Sequence, residues 1–211
     1  MTRTSQRTFR APMRWHRDLE PGERRLVFTC SLSDWFHRAA DPFRADAYEV
    51  IRACPGLTFQ ILTKRHGRIA ANLPDGWGDG WDNVWLGVSV EDGNWLRRAA
   101  SLNKVPAKVR FLSMEPLIGA VDQTELRAVL RDGIGWVIVG GESGAREKVR
   151  PFYERHAIDI VEACAAEGVA CFVKQRGAIT MKLEGGVDLV AHDDLEHLRP
   201  ELDVRAYPEV A

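Results

Sequence analysis

Six short apolar runs in this chain each end in charge or hydroxyl: Cys30-Ser31-Leu32-Ser33-Asp34, Thr63-Lys64-Arg65, Ser89-Val90-Glu91-Asp92, Ser113-Met114-Glu115-Pro116, Gly140-Gly141-Glu142-Ser143-Gly144 and Lys174-Gln175-Arg176. Carboxylates (Asp34, Glu91, Glu115, Glu142) and cations (Lys64, Arg65, Lys174, Arg176) gathered at one rim would form a mixed-charge bowl for a zwitterionic or phosphate-bearing ligand. In the Gly140–Gly144 stretch, glycines let backbone approach a ligand and Glu142 can accept hydrogen bonds from an amino group. Glu115 follows Phe111, Leu112 and Met114. A carboxylate in such dry surroundings resists ionisation unless a cation, Lys64 or Lys174, pairs with it.

The aromatic residues offer a second chemistry. Trp77, Trp81, Trp85 and Trp95 fall close together, and the glycines in Gly76-Trp77-Gly78-Asp79-Gly80-Trp81 make a loop. Trp77 and Trp81 beside basic residues could stack nucleobases, with the basic N-terminus supplying phosphate contacts. Packing of the loop against its own domain is the competing reading. The six histidines are scattered without HxxxH or HxH spacing, so no metal site is read from them. Cys30, Cys54, Cys164 and Cys171 lack CxxC spacing and read as reduced thiols of a cytoplasmic protein.

The elements that must position these residues follow from periodicity. The apolar runs Arg25–Cys30, Thr58–Thr63, Val84–Val90, Val109–Met114, Gly135–Gly140 and Ala170–Lys174 read as strands. Between them, Phe43–Ala53, Arg68–Leu73, Trp95–Asn103, Gln123–Leu130 and Pro151–Glu167 repeat apolar residues at three and four positions, as crossover helices do. Asp122 suits an N-cap, Pro151 a first helical turn and Gly168 a helix end. Strands as apolar as Trp136–Gly140 imply burial on both faces, hence an α/β fold with a parallel sheet. Parallel α/β folds bind ligands at the carboxyl ends of their strands, where the six polar segments lie.

The 211 residues carry 45% hydrophobic content, enough for a sizeable core, and Lys+Arg 29 against Asp+Glu 30 leaves a net charge of −1. That balance excludes a nucleic-acid binder held by charge alone and leaves room for a local basic patch. No apolar run reaches the roughly 20 residues that span a bilayer, so no membrane partner is expected. Residues 1–23 read as a basic arm or linker, 24–180 as the α/β domain and 181–211 as an acidic, solvated tail with a short helix.

At FTCSLSD, FQILTKR, VWLGVSVED, VRFLSMEPLIGAVD, WVIVGGESG and CFVKQRG the chain resembles a phage- and prophage-associated family of uncharacterised proteins. The longer members of that family carry an N-terminal three-cysteine motif like that of radical S-adenosylmethionine enzymes. The resemblance implies a TIM-like partial (β/α) barrel of about six strands, lacking the first strand and cluster loop. It also implies S-adenosylmethionine and a [4Fe–4S] cluster held by three cysteines, with a radical generated on a bound substrate. Carried over by position, Ser89, Glu91, Asp92, Ser113, Gly140, Gly141, Glu142, Glu115 and Lys64 would line the cofactor or substrate end of the barrel; Ser89, Glu91, Ser113, Gly140, Gly141 and Glu142 are the candidates for binding cofactor, and Lys64 and Glu115, with Asp34 and Lys174 from the strand ends, for the chemistry. The triad itself is missing here, so the resemblance describes a shortened relative or one that has lost its cluster. Two alternatives stand beside it. One is an enzyme in which Asp34, Glu91, Glu115 and Glu142 hold a divalent cation over a phosphate-bearing substrate, a small molecule or nucleotide, bound by Lys64 and Lys174. The other is a non-enzymatic phage assembly protein that binds through its tryptophan loop and acidic tail.

Overall fold

In the computed structural model, residues 4–181, 189–190 and 200–209 are described. Among them, six strands form a parallel sheet: β1 (Arg25–Phe28), β2 (Leu57–Thr63), β3 (Val84–Ser89), β4 (Val109–Met114), β5 (Trp136–Gly140) and β7 (Ala170–Gln175), with β6 (Phe152–Tyr153) outside it. They lie in the order β1-β2-β3-β4-β5-β7, the curled sheet of a partial (β/α) barrel. Strand order follows chain order because each crossover returns the chain beside the strand it has just left. The chain divides into two compact units, Met1–Gly87 with Lys104–Val109 and Val88–Asn103 with Arg110–Ala211.

In the first unit the basic N-terminal segment is helical: α1 (Gln6–Phe9) is capped by the Ser5 hydroxyl, and α2 (Ala11–Arg17) begins with Pro12 in its first turn. Neither helix buries a residue fully, yet α2 is docked. A Cβ on Gly56 would meet Leu19 Cδ1 at 2.7 Å and His16 Nδ1 at 2.9 Å, so the absent side chain is what seats the segment. The segment is therefore more than an arm. The double burial read from apolar content holds for β2 and fails for β1, where Leu26 is 42% and Phe28 49% exposed. Among the described residues β1 pairs only with β2 and is the sheet's edge. Helix α3 (Asp41–Arg52) starts with Pro42 and buries Tyr48 and Ile51. In place of the α-helix expected at Arg68–Leu73 stand two short 3₁₀ turns, His66–Arg68 and Ala70–Asn72.

In the second unit, α4 (Arg97–Leu102), α5 (Gln123–Arg131) and α6 (Glu154–Glu167) accompany β4, β5 and β7. Asp122 Oδ1 accepts from the Glu125 N–H at 2.9 Å, the expected cap. Gly168 ends α6 in the left-handed region at φ 67°, as its type suits. Pro151 is not in the first turn of α6. Phe152 and Tyr153 intervene as β6, which pairs in parallel with β8 (Thr180–Met181), and β8 pairs antiparallel with β9 (Leu189–Val190).

The end of the chain also differs from a solvated tail. Residues 182–188 and 191–199, which carry most of its acids, lie outside the described residues. The rest returns to β7: the Val173 N–H donates to Val204 O at 2.9 Å and the Ala206 N–H to Cys171 O at 2.8 Å. Leu202 is fully buried, and Tyr207 lies against Trp136 and Phe172 with ring centroids 5.4 and 5.3 Å away. An acidic composition did not prevent docking because Leu202, Tyr207 and two backbone hydrogen bonds carry the contact. Among the described residues, no helix is long and apolar enough to cross a membrane.

Candidate functional site

The second unit brings together three of its strand ends. Glu115 follows β4, Gly140-Gly141-Glu142 closes β5, and Lys174-Gln175 closes β7. Lys174 Nζ lies 3.0 and 3.2 Å from the two carboxylate oxygens of Glu115. Gln175 Nε2 donates to Glu115 Oε1 at 3.3 Å and to Gly141 O at 3.1 Å. Of the two cations that could have paired with Glu115, Lys174 is thus seen to do so. The pair is reachable: the lysine side chain is 52% exposed and the glutamate 22%. Space for the carboxylate comes from Gly140, whose Cβ would lie 3.2 Å from the Glu115 carboxyl.

Gly141 has a different reason to be glycine. A Cβ there would overlap the Arg176 carbonyl oxygen and lie 2.8 Å from Gly177 N. Gly177, at φ 87°, would in turn place a Cβ 2.7 Å from Glu142 N. The Gly141 N–H donates to Gln175 O at 2.9 Å and the Ala178 N–H to Glu142 O at 2.9 Å. Two backbone segments cross here, and the glycine that read as an approach for ligand is an approach for the protein's own chain.

Glu142 is committed to Arg150. Its oxygens accept from Arg150 Nε at 2.8 Å, Nη2 at 2.9 Å and the Arg150 N–H at 3.0 Å, and this grip holds its carboxyl down to about pKa 2. Glu91 accepts from Arg98 Nη1 at 2.8 Å with both side chains buried, and the same Nη1 reaches Ser89 O at 2.7 Å. Trp95 covers that guanidinium at 3.9 Å. Ser113 is buried in β4, and its carbonyl accepts from the Val90 N–H at 2.9 Å. Glu91, Ser89 and Ser113 therefore serve as internal bracing. A second buried pair joins Arg176 and Glu154, 2% and 1% exposed, at 3.2 Å. It binds the end of β7 to the first turn of α6.

The first unit holds Asp34 and Lys64. Asp34 accepts from the Phe36 N–H at 2.9 Å, Thr63 Oγ1 at 2.8 Å and the Lys64 N–H at 3.0 Å, and meets Arg65 Nη1 at 2.9 Å. With four donors on two oxygens it organises the loop after β1 against the end of β2. Lys64 lines a cavity of about 390 Å³ with Arg65 and Arg68. Trp77 is buried, donating to Pro106 O at 2.8 Å, and Trp81 lies between Tyr48, Trp77 and Arg52. The buried Trp77 presents no face to a base.

Arg98 and Arg150, which neutralise two of the candidate carboxylates, escaped sequence reading. Their spacing of seven and eight residues from Glu91 and Glu142 crosses a loop, where no fixed period links partners. Cys30 is exposed at the end of β1, whereas Cys54, Cys164 and Cys171 are buried. Among the described residues no three His, Cys, Asp or Glu side chains converge as a metal or cluster would require. The [4Fe–4S] group, which needs three convergent thiolates, does not fit this cysteine set.

No curated protein and no solved structure matches this chain. A family model described as protein of unknown function (DUF5131) matches residues 1–206. The conclusion from that span, which takes in every strand of the parallel sheet and every strand-end segment above, is that the chain belongs to this family of proteins of unknown function.

Proposed function

We propose that the protein binds a zwitterionic small molecule at the ends of β4, β5 and β7, with Glu115 receiving its ammonium group and Lys174 its carboxylate. One observation carries this reading. Of the four strand-end carboxylates, Asp34, Glu91 and Glu142 are each held by an arginine, and Glu115 is held by an exposed lysine. An ion pair this close to solvent contributes only about 0–1 kcal/mol, so a ligand that replaces each half with an opposite charge displaces little. Gln175 adds an amide beside both groups, and Gly140 keeps the floor open.

The resemblance nominates S-adenosylmethionine, whose amino-acid end carries the required ammonium and carboxylate. The iron–sulfur half of that chemistry is not part of the proposal. Titration calorimetry with S-adenosylmethionine is expected to give saturable binding, weakened about tenfold or more by Glu115→Gln and by Lys174→Met, since each variant deletes one charge-assisted contact. Absence of binding, or variants that bind like the parent, would overturn the reading.

A further inference from the structure

The first unit contains a cleft of different chemistry. Its cavity of about 390 Å³ is walled by His37, Arg38, Lys64, Arg65, His66 and Arg68, with Gly67 between. Among the described residues no carboxylate lines it. Asp34 and Asp41 lie behind it, where Asp34 meets Arg65 Nη1 at 2.9 Å and Asp41 accepts twice from Arg68 Nη2 at 2.8 Å. Asp41 is shared with Arg44 at 2.6 Å. The two carboxylates hold Arg44, Arg65 and Arg68, and with Arg38 beside them the arginines outnumber the carboxylates two to one.

The bracing also aims the guanidinium groups. Arg68 donates Nε to Phe36 O at 2.8 Å and Nη2 to Asp41, which leaves Nη1 uncommitted. Arg65 uses Nη1 on Asp34 and keeps Nε and Nη2. His37 Nδ1 accepts from the Ala39 N–H at 3.0 Å, so its ring proton is on Nε2 and that nitrogen is a donor. The Arg38 side chain is exposed and makes no hydrogen bond or ion pair with the described residues, its carbonyl accepting from the Asp41 N–H. Lys64 adds an exposed ammonium at the end of β2, the position where parallel sheets place ligands.

We propose that this cleft binds the phosphate group of a phosphate-bearing small molecule. A single carboxylate presents two oxygens and one charge, enough for one guanidinium fork. The Nε–Nη2 edge of Arg65, the remaining Nη1 of Arg68, the exposed Arg38 and a lysine call for an anion with more charge and more oxygens, which phosphate esters supply. The inference is independent of the zwitterion reading, since it uses none of the same residues.

Pyrophosphate is the probe. Calorimetric titration of the full chain is expected to give saturable binding that weakens with added salt, with malonate about tenfold weaker or worse. The double variant Arg38→Ala/Lys64→Met changes two exposed side chains and is expected to keep the fold by circular dichroism while losing about tenfold or more in affinity. Arg14→Ala, on α2, is expected to bind like the parent. The proposal is overturned if pyrophosphate does not saturate, if malonate binds equally, or if the double variant is unaffected. It is equally overturned if a short single-stranded RNA binds and depends on Arg38 and Lys64 while pyrophosphate does not bind, which would assign the surface to nucleic acid.

Discussion

Replacing Gly141 by alanine separates a ligand cradle from a chain crossing. The added methyl would overlap the Arg176 carbonyl and stand 2.8 Å from Gly177 N, and both obstacles are backbone, with no rotamer to yield. Relief requires the 140–142 and 175–178 segments to part. Their two connecting hydrogen bonds, Gly141 N–H to Gln175 O and Ala178 N–H to Glu142 O, are each 2.9 Å long and would be lost or stretched. Overpacking costs about 1–3 kcal/mol and each of the two lost bonds about 1 kcal/mol, which puts Gly141→Ala near 3–5 kcal/mol. Thermal unfolding should shift down by about 6–20 °C for a chain of this size. Urea denaturation read by tryptophan fluorescence measures the free energy directly. The control is Gly76→Ala, where φ is 73° with nothing near the new Cβ, so only backbone strain is added and the cost is about 1 kcal/mol. If Gly141→Ala lies within about 0.5 kcal/mol of the parent, the steric reasoning fails and the glycine pair belongs to a ligand after all.

Leu202→Ala is expected to cost about 2–5 kcal/mol by urea denaturation, since the side chain is fully buried, and a loss under about 1 kcal/mol would mean the chain end is not docked. Glu142 has its carboxyl pKa depressed to about 2 from 4.5, so its pairing with Arg150 stabilises the fold above pH 4.5 and that contribution fades as pH falls from 4.5 through 2. Glu142→Gln should therefore flatten the acid side of the melting temperature curve between those values while leaving its neutral side parallel to the parent. Superimposable acid limbs would show that the pair contributes nothing.

The strands and most helices were legible because their signals are local. Val84–Ser89 and Trp136–Gly140 are apolar runs of strand length, and Asp122 caps its helix through a bond spanning three residues. Where one partner lay outside that reach, reading failed. The short turns at 66–72, the small strand at Phe152–Tyr153 and the return of residues 204–206 to β7 each depend on a pairing or an available length that composition does not encode.

The candidate site divides the same way. Residue type and position after an apolar run were enough to single out Glu115, Glu142, Glu91 and Asp34, because a parallel sheet delivers such residues to one edge. Which of them stays available for a ligand depended on the partner each met in space. Glu115 met Lys174, 59 residues away, while Glu91 and Glu142 met arginines across loops. Charge attraction is blind to chain separation, so the sequence alone could determine which carboxylates were candidates, and only the tertiary structure could decide which cation each would hold.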